Sequence, residues 1–218
     1  MSALVVVTEV GFRYGRAERV LDGVSATFDE AQVHSITGPS GCGKSTLLYL
    51  IGLMLRPEDG SIEVAGRVTS GGRDRERALV RGEHIGFVFQ DALLEPSMTV
   101  FENVAEGLPL NRPLRRYRAE AAAMLERVGV GELRDRKASR LSGGQAQRVA
   151  LVRAMLKGPA VLLADEPTGN LDDTSASVVL AALFEYGRQP GQTCIVVTHD
   201  KRIAAATDTV TRLEPADV

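Results

Sequence analysis

Residues 38–46 read GPSGCGKST and have the composition of a phosphate-binding loop. Glycines let the main chain approach a phosphate closely, and successive backbone N–H groups can surround its oxygens. In the pattern G-x-x-x-x-G-K-[ST], Lys44 reaches the β- and γ-phosphates and Ser45 supplies a hydroxyl to Mg²⁺. The alternative is an ordinary glycine turn. It is disfavoured because a predicted strand precedes the loop and a predicted helix follows it.

Two carboxylates end an apolar strand further along the chain. Residues 161–166 read VLLADE, so Asp165 and Glu166 lie at the carboxyl end of that strand, where open α/β sheets bind their ligands. Asp165 suits Mg²⁺, directly or through water, and Glu166 is placed to polarise an attacking water. Acidic strand ends are common by themselves. Together with the phosphate loop, this pair predicts nucleotide hydrolysis.

A glutamine and a histidine end two other predicted strands. The amide of Gln90 can contact Mg²⁺ or the nucleophilic water, although a solvated strand end explains this residue equally well. The neutral ring of His199 can donate to a γ-phosphate oxygen, although a lone histidine at a strand end is more often structural. We interpret His34 and His84 as structural.

A second glycine-rich sequence, LSGGQ at residues 141–145, begins another predicted helix and can also receive a phosphate. Ser142 and Gln145 have the spacing of a capping box, which needs no ligand. A capping box does not require Gly143 and Gly144, which weaken the first helical turn. The bare backbone there therefore favours an incoming phosphate.

The elements that must position these residues follow an alternating order. Strands are predicted at residues 3–10, 24–30, 33–37, 57–66, 85–90, 159–167, 193–200 and 208–213, the fourth of them after a turn. Helices are predicted from 44 to near Pro57, at 113–130, at 146–156, at 174–187 and at 201–207, with a polar loop and a short helix at 69–83. One face of the second helix carries Leu114, Tyr117, Ala121, Met124, Leu125 and Val128. Such alternation predicts an α/β fold with a largely parallel sheet, and the early strands suggest an antiparallel part.

The order of these motifs resembles that of the nucleotide-binding domain of ABC transporters. GPSGCGKST, Gln90, LSGGQ, VLLADEP, GNLD and His199 follow one another as in that family, over nearly the whole chain. The LSGGQ signature separates the family from kinases, GTPases and other P-loop proteins. The resemblance implies a P-loop ATPase fold with a parallel core sheet, an antiparallel β part and an inserted α-helical subdomain.

The resemblance also implies ATP and Mg²⁺ as cofactors, with assigned residues. The implied nucleotide-binding residues are Tyr14, Gly38, Pro39, Ser40, Gly41, Cys42, Gly43, Lys44, Ser45, Thr46, Ser142, Gly143, Gly144, Gln145 and Asp172. The implied Mg²⁺ ligands are Ser45, Gln90 and Asp165, and the implied catalytic residues are Glu166, His199 and Gln90. Among these, Tyr14 matches the aromatic residue that stacks on adenine, and Asp172 matches the D-loop aspartate.

The family organisation implies one domain over residues 1–218, with a RecA-like core at 1–90 and 141–218 and a helical subdomain at about 91–140. Two copies would pair head to tail, so that LSGGQ of one chain meets the ATP held by the phosphate loop of the other. A separate transmembrane permease subunit would contact the subdomain through Leu93, Leu94, Met98 and Phe101. A local hydrophobic core is the alternative for these four residues.

LADEPTGNLD and FVFQDALLEPSMTVFENV resemble the MacB-type subfamily, as does the expected absence of a C-terminal regulatory domain. Ala146 and Asn170 depart from residues common in the wider family. The subfamily implies an exporter or extractor of drugs, peptides, haem or lipoproteins. The alternatives are an ABC ATPase of a non-transport complex, such as a cell-division regulator, and a stand-alone ATPase.

Bulk composition constrains the partners. The net charge of −2 argues against nucleic acid, and Arg112, Arg115, Arg116 and Arg118 are interpreted as the solvated face of a helix. The N-terminus does not read as a signal peptide, and the longest uncharged apolar run, residues 46–55, is too short to span a bilayer. Any membrane crossing therefore falls to another chain, and the resemblance implies that this chain lies at the cytoplasmic face.

Two cysteines, Cys42 and Cys194, form no metal or disulfide framework, which favours a reducing compartment. Cys42 lies in the phosphate loop beside Lys44, near the start of a helix. We expect a reactive thiol there, inhibition by a maleimide and protection by ATP.

Overall fold

A computed structural model describes residues 2–15, 18–108 and 114–216, and strands and helices alternate along most of this chain. The strands are β1 (Ala3–Arg13), β2 (Arg19–Asp29), β3 (Gln32–Thr37), β4 (Asp59–Val64), β5 (Arg67–Val68), β6 (Ile85–Val88), β7 (Val161–Asp165), β8 (Thr193–Val197) and β9 (Thr209–Arg212). The helices are α1 (Lys44–Ile51), α2 (Asp74–His84), α3 (Val100–Ala105), α4 (Leu114–Arg127), α5 (Gly143–Met155), α6 (Asp173–Gly187) and α7 (Lys201–Ala206).

These strands form two sheets. One is antiparallel with the order β2-β1-β4-β5, and the other is parallel with the order β6-β7-β8-β3-β9. Every residue of β7 and β8 is buried, as expected for strands that are covered on both faces. The predicted α/β class, with a parallel core sheet and a separate antiparallel part, is confirmed.

Between residues 91 and 140, the described chain contains α3, α4 and two short 3-10 turns, and its β pairing is limited to one bridge between Thr99 and Lys137. On the predicted apolar face of α4, Ala121, Leu125 and Val128 are buried, while Tyr117 and Met124 are partly buried against the same cluster. The side chain of Leu114 lies outside the described residues.

Some elements differ in extent from the sequence prediction. α1 ends at Ile51 and not near Pro57, because Gly52 caps the helix and Leu53 adopts a left-handed conformation with φ of 56°. Leu53 is nevertheless buried, so the apolar pattern continues past the end of the helix. β1 and β2 are longer than predicted, and the polar segment at 69–83 forms the eleven-residue helix α2.

The parallel sheet places the candidate site residues at a common edge. β3, β6, β7 and β8 run in the same direction, so their carboxyl ends share one edge of the sheet. The phosphate loop follows β3, Gln90 follows β6, Glu166 follows β7 and His199 follows β8. No helix within residues 2–15, 18–108 and 114–216 has the length and apolar character needed to cross a membrane.

Candidate active site

The phosphate loop needs glycine at two positions for separate reasons. Gly38 has φ of 150°, and a Cβ atom there would lie 2.4 Å from the carbonyl oxygen of Leu213. Gly43 has φ of 90°, and a Cβ atom there would lie 2.6 Å from Leu21 Cδ2. A side chain at either position would therefore disrupt the loop. The loop conformation is fixed by its packing on β2 and on the residue that follows β9.

The start of α1 is arranged to receive an anion. No side chain caps its first turn, and no acidic residue lies there, so its N–H groups and positive dipole end are available. Lys44 Nζ donates to the carbonyl oxygens of Gly38 (3.0 Å) and Pro39 (2.8 Å), which holds the ammonium group against the loop. The half-exposed Tyr14 lies beside this helix, with its hydroxyl 3.2 Å from Thr46 Oγ1.

Asp165 is buried at the end of β7, and both of its carboxylate oxygens have a partner on α1. Ser45 Oγ donates to Oδ1 at 3.0 Å, and the hydroxyl of Tyr49 donates to Oδ2 at 2.9 Å. Burial, followed by the hydrogen bond to Asp165, raises the pKa of Tyr49 to about 12. The structure thus brings Ser45 and Asp165 together. Tyr49 was not predicted from the sequence motifs, although it lies four residues after Ser45 and therefore on the same helix face.

Glu166 and His199 form a pair across neighbouring strand ends. Glu166 has φ of 45°, an unfavourable conformation for glutamate, and such strain concentrates at functional sites. Its Oε1 lies 2.8 Å from Nδ1 of the exposed His199 ring. A carboxylate accepts, so Nδ1 carries the proton of a neutral ring and Nε2 carries none. Donation to a phosphate from Nε2 therefore requires a tautomer change or a second proton.

Gln90 is exposed two residues after β6. A Cβ atom on Gly169, three residues after Glu166, would lie 3.6 Å from Gln90 Nε2. Within the described ranges, no hydrogen bond links Gln90 with Ser45, Asp165 or Glu166. The structure thus places Gln90 beside the segment after β7 without a direct bond to the other three residues.

The LSGGQ segment forms the predicted capping box. Ser142 Oγ accepts from the Gln145 amide at 3.3 Å, and Gln145 Oε1 accepts from the Ser142 amide at 3.0 Å. A Cβ atom on Gly144 would lie 2.4 Å from Ser175 Oγ on α6, whereas one on Gly143 would meet nothing within 4 Å. Close packing inside the chain therefore explains Gly144. Only Gly143 supports the argument that bare backbone serves a ligand.

Asp172 has a structural role as the N-cap of α6. Its Oδ1 accepts from the Ser175 amide at 2.9 Å, and this hydrogen bond lowers the pKa of the carboxyl. A nucleotide contact by Asp172 stays a prediction.

The structure buries the Cys42 thiol, and its expected reaction with a maleimide stays a prediction. Cys42 is only 1% exposed, and a Cβ atom on Gly38 would lie 2.7 Å from its Sγ. The sulfur therefore lies in the packing beneath the loop, which limits access of a reagent.

The structure also tests the structural role expected for His34 and the solvated face expected for the arginines at 112–118. His34 is buried and bonded to Asp29 and Thr209, which confirms its structural role. Arg115 and Arg118 are exposed, in agreement with a solvated helix face. Arg112 and the side chain of Arg116 lie outside the described residues.

Known proteins are similar to this chain in sequence and in architecture. A sequence profile of the ABC transporter family matches residues 21–169. The lipoprotein-releasing system ATP-binding protein LolD of Anaeromyxobacter dehalogenans is 45% identical over 198 residues, which are 89% of this chain and 82% of that protein. LolD of Cereibacter sphaeroides is 39% identical over 100% of both chains.

A longer relative and a solved structure extend the comparison. The macrolide export ATP-binding/permease protein MacB of Burkholderia pseudomallei is 41% identical over 93% of this chain but only 31% of its own length. The dimeric structure of the ATP-binding cassette MJ0796 in a post-hydrolysis state, bound to ADP and Pi, superposes with a TM-score of 0.84. It has 32% sequence identity and covers 96% of this chain and 94% of that one.

Proposed function

The chain belongs to the ABC transporter family of ATPases, and from that premise we propose that it drives a separate transmembrane permease. It is an ATPase subunit of the type represented by LolD and MacB. The observation that carries the proposal is the common sheet edge at which the phosphate loop, Asp165, Glu166 and His199 come together. The names of the relatives favour an exported or extracted cargo, such as a lipoprotein or a drug.

Binding of ATP is assigned to the loop and its surroundings. The backbone N–H groups between Gly38 and Thr46, all but that position held by Pro39, surround the phosphates. Lys44 pairs with the β- and γ-phosphates, and Tyr14 stacks on adenine. The position of Tyr14 beside Thr46 supports the last assignment.

A Mg²⁺ ion fits the residues that are present. The Ser45 hydroxyl and the Asp165 carboxylate are hard oxygen donors only 3.0 Å apart, and Mg²⁺ takes few protein ligands beside phosphate and water. Gln90 is the third proposed ligand. When bound, the ion would neutralise charge on the phosphates.

Hydrolysis is assigned to Glu166 and His199. Glu166 takes a proton from the water that attacks the γ-phosphate, and His199 orients this carboxylate through their 2.8 Å contact. The strained backbone of Glu166 supports a functional role, since strain persists only where the surroundings impose it.

Two copies are proposed to enclose two ATP molecules head to tail. Ser142, Gly143, Gly144 and Gln145 of one chain, with Asp172, then meet the nucleotide held by the other. Within the described residues, no hydrogen bond or ion pair joins LSGGQ to the phosphate loop, so the two groups stay separate in one chain. The dimeric form of MJ0796 supports this arrangement.

The proposed permease contact lies in the segment after Gln90. We assign residues 1–90 and 141–218 to an ATPase core and about 91–140 to a helical subdomain that meets the permease. Leu93 supports this assignment because it is 63% exposed and has a left-handed φ of 46°. An exposed apolar side chain in a strained conformation suits a docking site. The protein would then lie at the cytoplasmic face of the membrane, held there by the permease.

Replacement of the proposed base tests the enzymatic part of this function. In Glu166→Gln, we expect kcat for ATP hydrolysis to fall at least about 100-fold, because a general base contributes at least this factor. The Kd for ATP should change less than about twofold, since no binding group is lost. Light scattering should then detect a dimer in the presence of ATP.

Glu185→Gln is the matched control. This exposed carboxylate pairs with Arg127 on the protein surface, away from the sheet edge. Its variant should hydrolyse ATP at the normal rate. Unchanged turnover in Glu166→Gln would exclude Glu166 as the base.

A further inference from the structure

Two side chains of α5 hold the main chain on both sides of Gln90. Gln147 Nε2 donates to the carbonyl oxygen of Phe89 at 2.8 Å. The two terminal nitrogens of Arg153 donate to the carbonyl oxygens of Ala92 and Leu93, each at 2.8 Å. We call residues 89–93 the Q segment. One helix therefore fixes the Q segment before and after its glutamine.

The sheet does not provide this support. The ladder between β6 and β7 ends at the pair Val88–Ala164, so the Q segment begins where strand pairing stops. Backbone carbonyls that leave a ladder need other donors, and here the donors are side chains of α5. The position of Gln90 thus depends on α5 as well as on β6.

Burial of the Gln147 amide and the Arg153 guanidinium is unfavourable because both groups lose hydration. Gln147 is 2% exposed, and burial lowers the pKa of the Arg153 guanidinium, opposed by the charge of Glu106. A buried polar group destabilises a protein unless it is hydrogen-bonded, and the carbonyls of the Q segment supply those bonds. Both side chains therefore favour one fixed arrangement of the Q segment on the helix.

α5 is also the helix that begins at the LSGGQ motif. Ser142 is its N-cap, and Arg153 lies in its last turn. Gln147 and Arg153 are about 9 Å apart along the axis of α5. Their hydrogen bonds therefore anchor the Q segment at two separate positions. If α5 shifts while these hydrogen bonds stay intact, the Q segment must shift with it.

We propose that Gln147 and Arg153 are positioning residues that make Gln90 move with the signature helix. Contact between LSGGQ and nucleotide displaces or orders α5, and the three carbonyl bonds pass this change to Gln90. Because coupling between sites is reciprocal, a partner that binds Leu93 alters nucleotide affinity at the other end of α5. This inference rests on the proposed role of Gln90 at the ATPase site.

A double-mutant cycle on the full chain tests the proposal through steady-state ATP hydrolysis. In the normal background, Arg153→Met should lower kcat roughly 5- to 10-fold and leave the ATP Kd within about twofold. In the Gln90→Ala background, the same substitution should cost less than about twofold, because its target is already gone. Equal losses in both backgrounds, or no loss in either, would overturn the proposal.

Two further variants separate positioning from general support of the fold. Arg148 lies on the same helix and donates to the carbonyl oxygens of Gly144 and Val128, away from the Q segment. Any loss in Arg148→Met should be the same in both backgrounds. Arg153→Lys keeps the charge but loses the fork that reaches two carbonyls, so we expect its kcat to lie between those of Arg153→Met and the unmodified protein.

A second measurement does not depend on what Gln90 does. Limited chymotrypsin digestion reports how firmly the exposed Leu93 is held, and we expect cleavage after it to accelerate several-fold in Arg153→Met and Gln147→Met. The rate should stay unchanged in Arg148→Met. If Gln90→Ala alone leaves hydrolysis unchanged, the proposed role of Gln90 fails. Unchanged cleavage in Arg153→Met and Gln147→Met would overturn the positioning inference itself.

Discussion

Gly143 and Gly144 are neighbours in the signature, but different physical constraints act on them. A side chain on Gly144 would collide with Ser175, so this glycine is required for α6 to approach the start of α5. Gly143 faces open space in the single chain, and a requirement for glycine there has to come from something the chain does not itself contain. The case for a ligand at this helix start therefore rests on Gly143 and on the capping box that exposes it.

His34 is a buried histidine whose protonation should affect stability. It is buried on β3, where Nε2 lies 3.0 Å from the Asp29 carbonyl oxygen and Nδ1 lies 2.5 Å from Thr209 Oγ1. The carbonyl must accept, so the folded protein holds the neutral ring with its proton on Nε2. Burial lowers the pKa of His34 below its ordinary value of 6.5, against opposing effects of Asp29 and Asp208.

The sign of the pH effect follows from proton binding. As pH falls through 6.5, the unfolded chain binds a proton at this position before the folded chain does. The contribution of the neutral His34 ring to the free energy of unfolding should therefore be fully present above that pH and decrease below it. Urea unfolding at about pH 7.5 and about pH 5.5 measures the decrease, which should be smaller in His34→Gln because glutamine does not titrate. An equal decrease in both proteins would contradict the prediction.

At the scale of elements, two helices determine the conformation of the segment after Gln90. α5 holds it through Arg153, and α3 holds its continuation through Asn103, whose amide bonds the backbone of Glu95 and Thr99. With its main chain anchored on both sides, this segment can present Leu93 without folding it into the core. An exposed apolar side chain on a rigid main chain suits contact with a partner whose conformational changes are coupled to those of the ATPase.

We predict that Leu93→Glu disrupts binding to the proposed permease. A charge in an apolar contact is unfavourable, so the amount of multi-span protein that co-purifies from membranes should fall at least about tenfold. Leu79→Glu is the matched control, because Leu79 on α2 has the same 63% exposure but lies outside the proposed surface. Normal ATP binding in both variants verifies the fold. Equal recovery of the partner with both variants would exclude Leu93 from the contact.

Sequence patterns predicted the existence and order of most elements because apolar strands followed by polar loops leave a local signal. They predicted the end of α1 poorly, since Leu53 keeps the apolar pattern while its backbone turns left-handed. They also missed Tyr49 and Arg153. Helical spacing from Ser45 could have indicated Tyr49. Nothing in the sequence indicates Arg153, because its partners are backbone carbonyls that only the tertiary fold brings within reach.

At the scale of the whole molecule, each chain carries two unlike halves of the proposed ATP site. The phosphate loop with Lys44 is one half, and the helix start at Ser142 is the other. If each site combines one half from each of two chains, a defect in either half inactivates both sites of a symmetric dimer. Lys44→Ala and Ser142→Arg should therefore each abolish hydrolysis when assayed alone.

Mixing the two variants should restore activity. In a mixed dimer, the chain with Ser142→Arg contributes an intact phosphate loop and the chain with Lys44→Ala contributes an intact signature. One site is therefore complete and the other carries both defects. Random pairing makes about half of the dimers mixed, so the mixture should regain up to roughly one quarter of the normal rate. Steady-state phosphate release from an equimolar mixture measures this recovery. A mixture as inactive as each variant alone would contradict a model in which each site is shared between two chains and turns over independently of the other site.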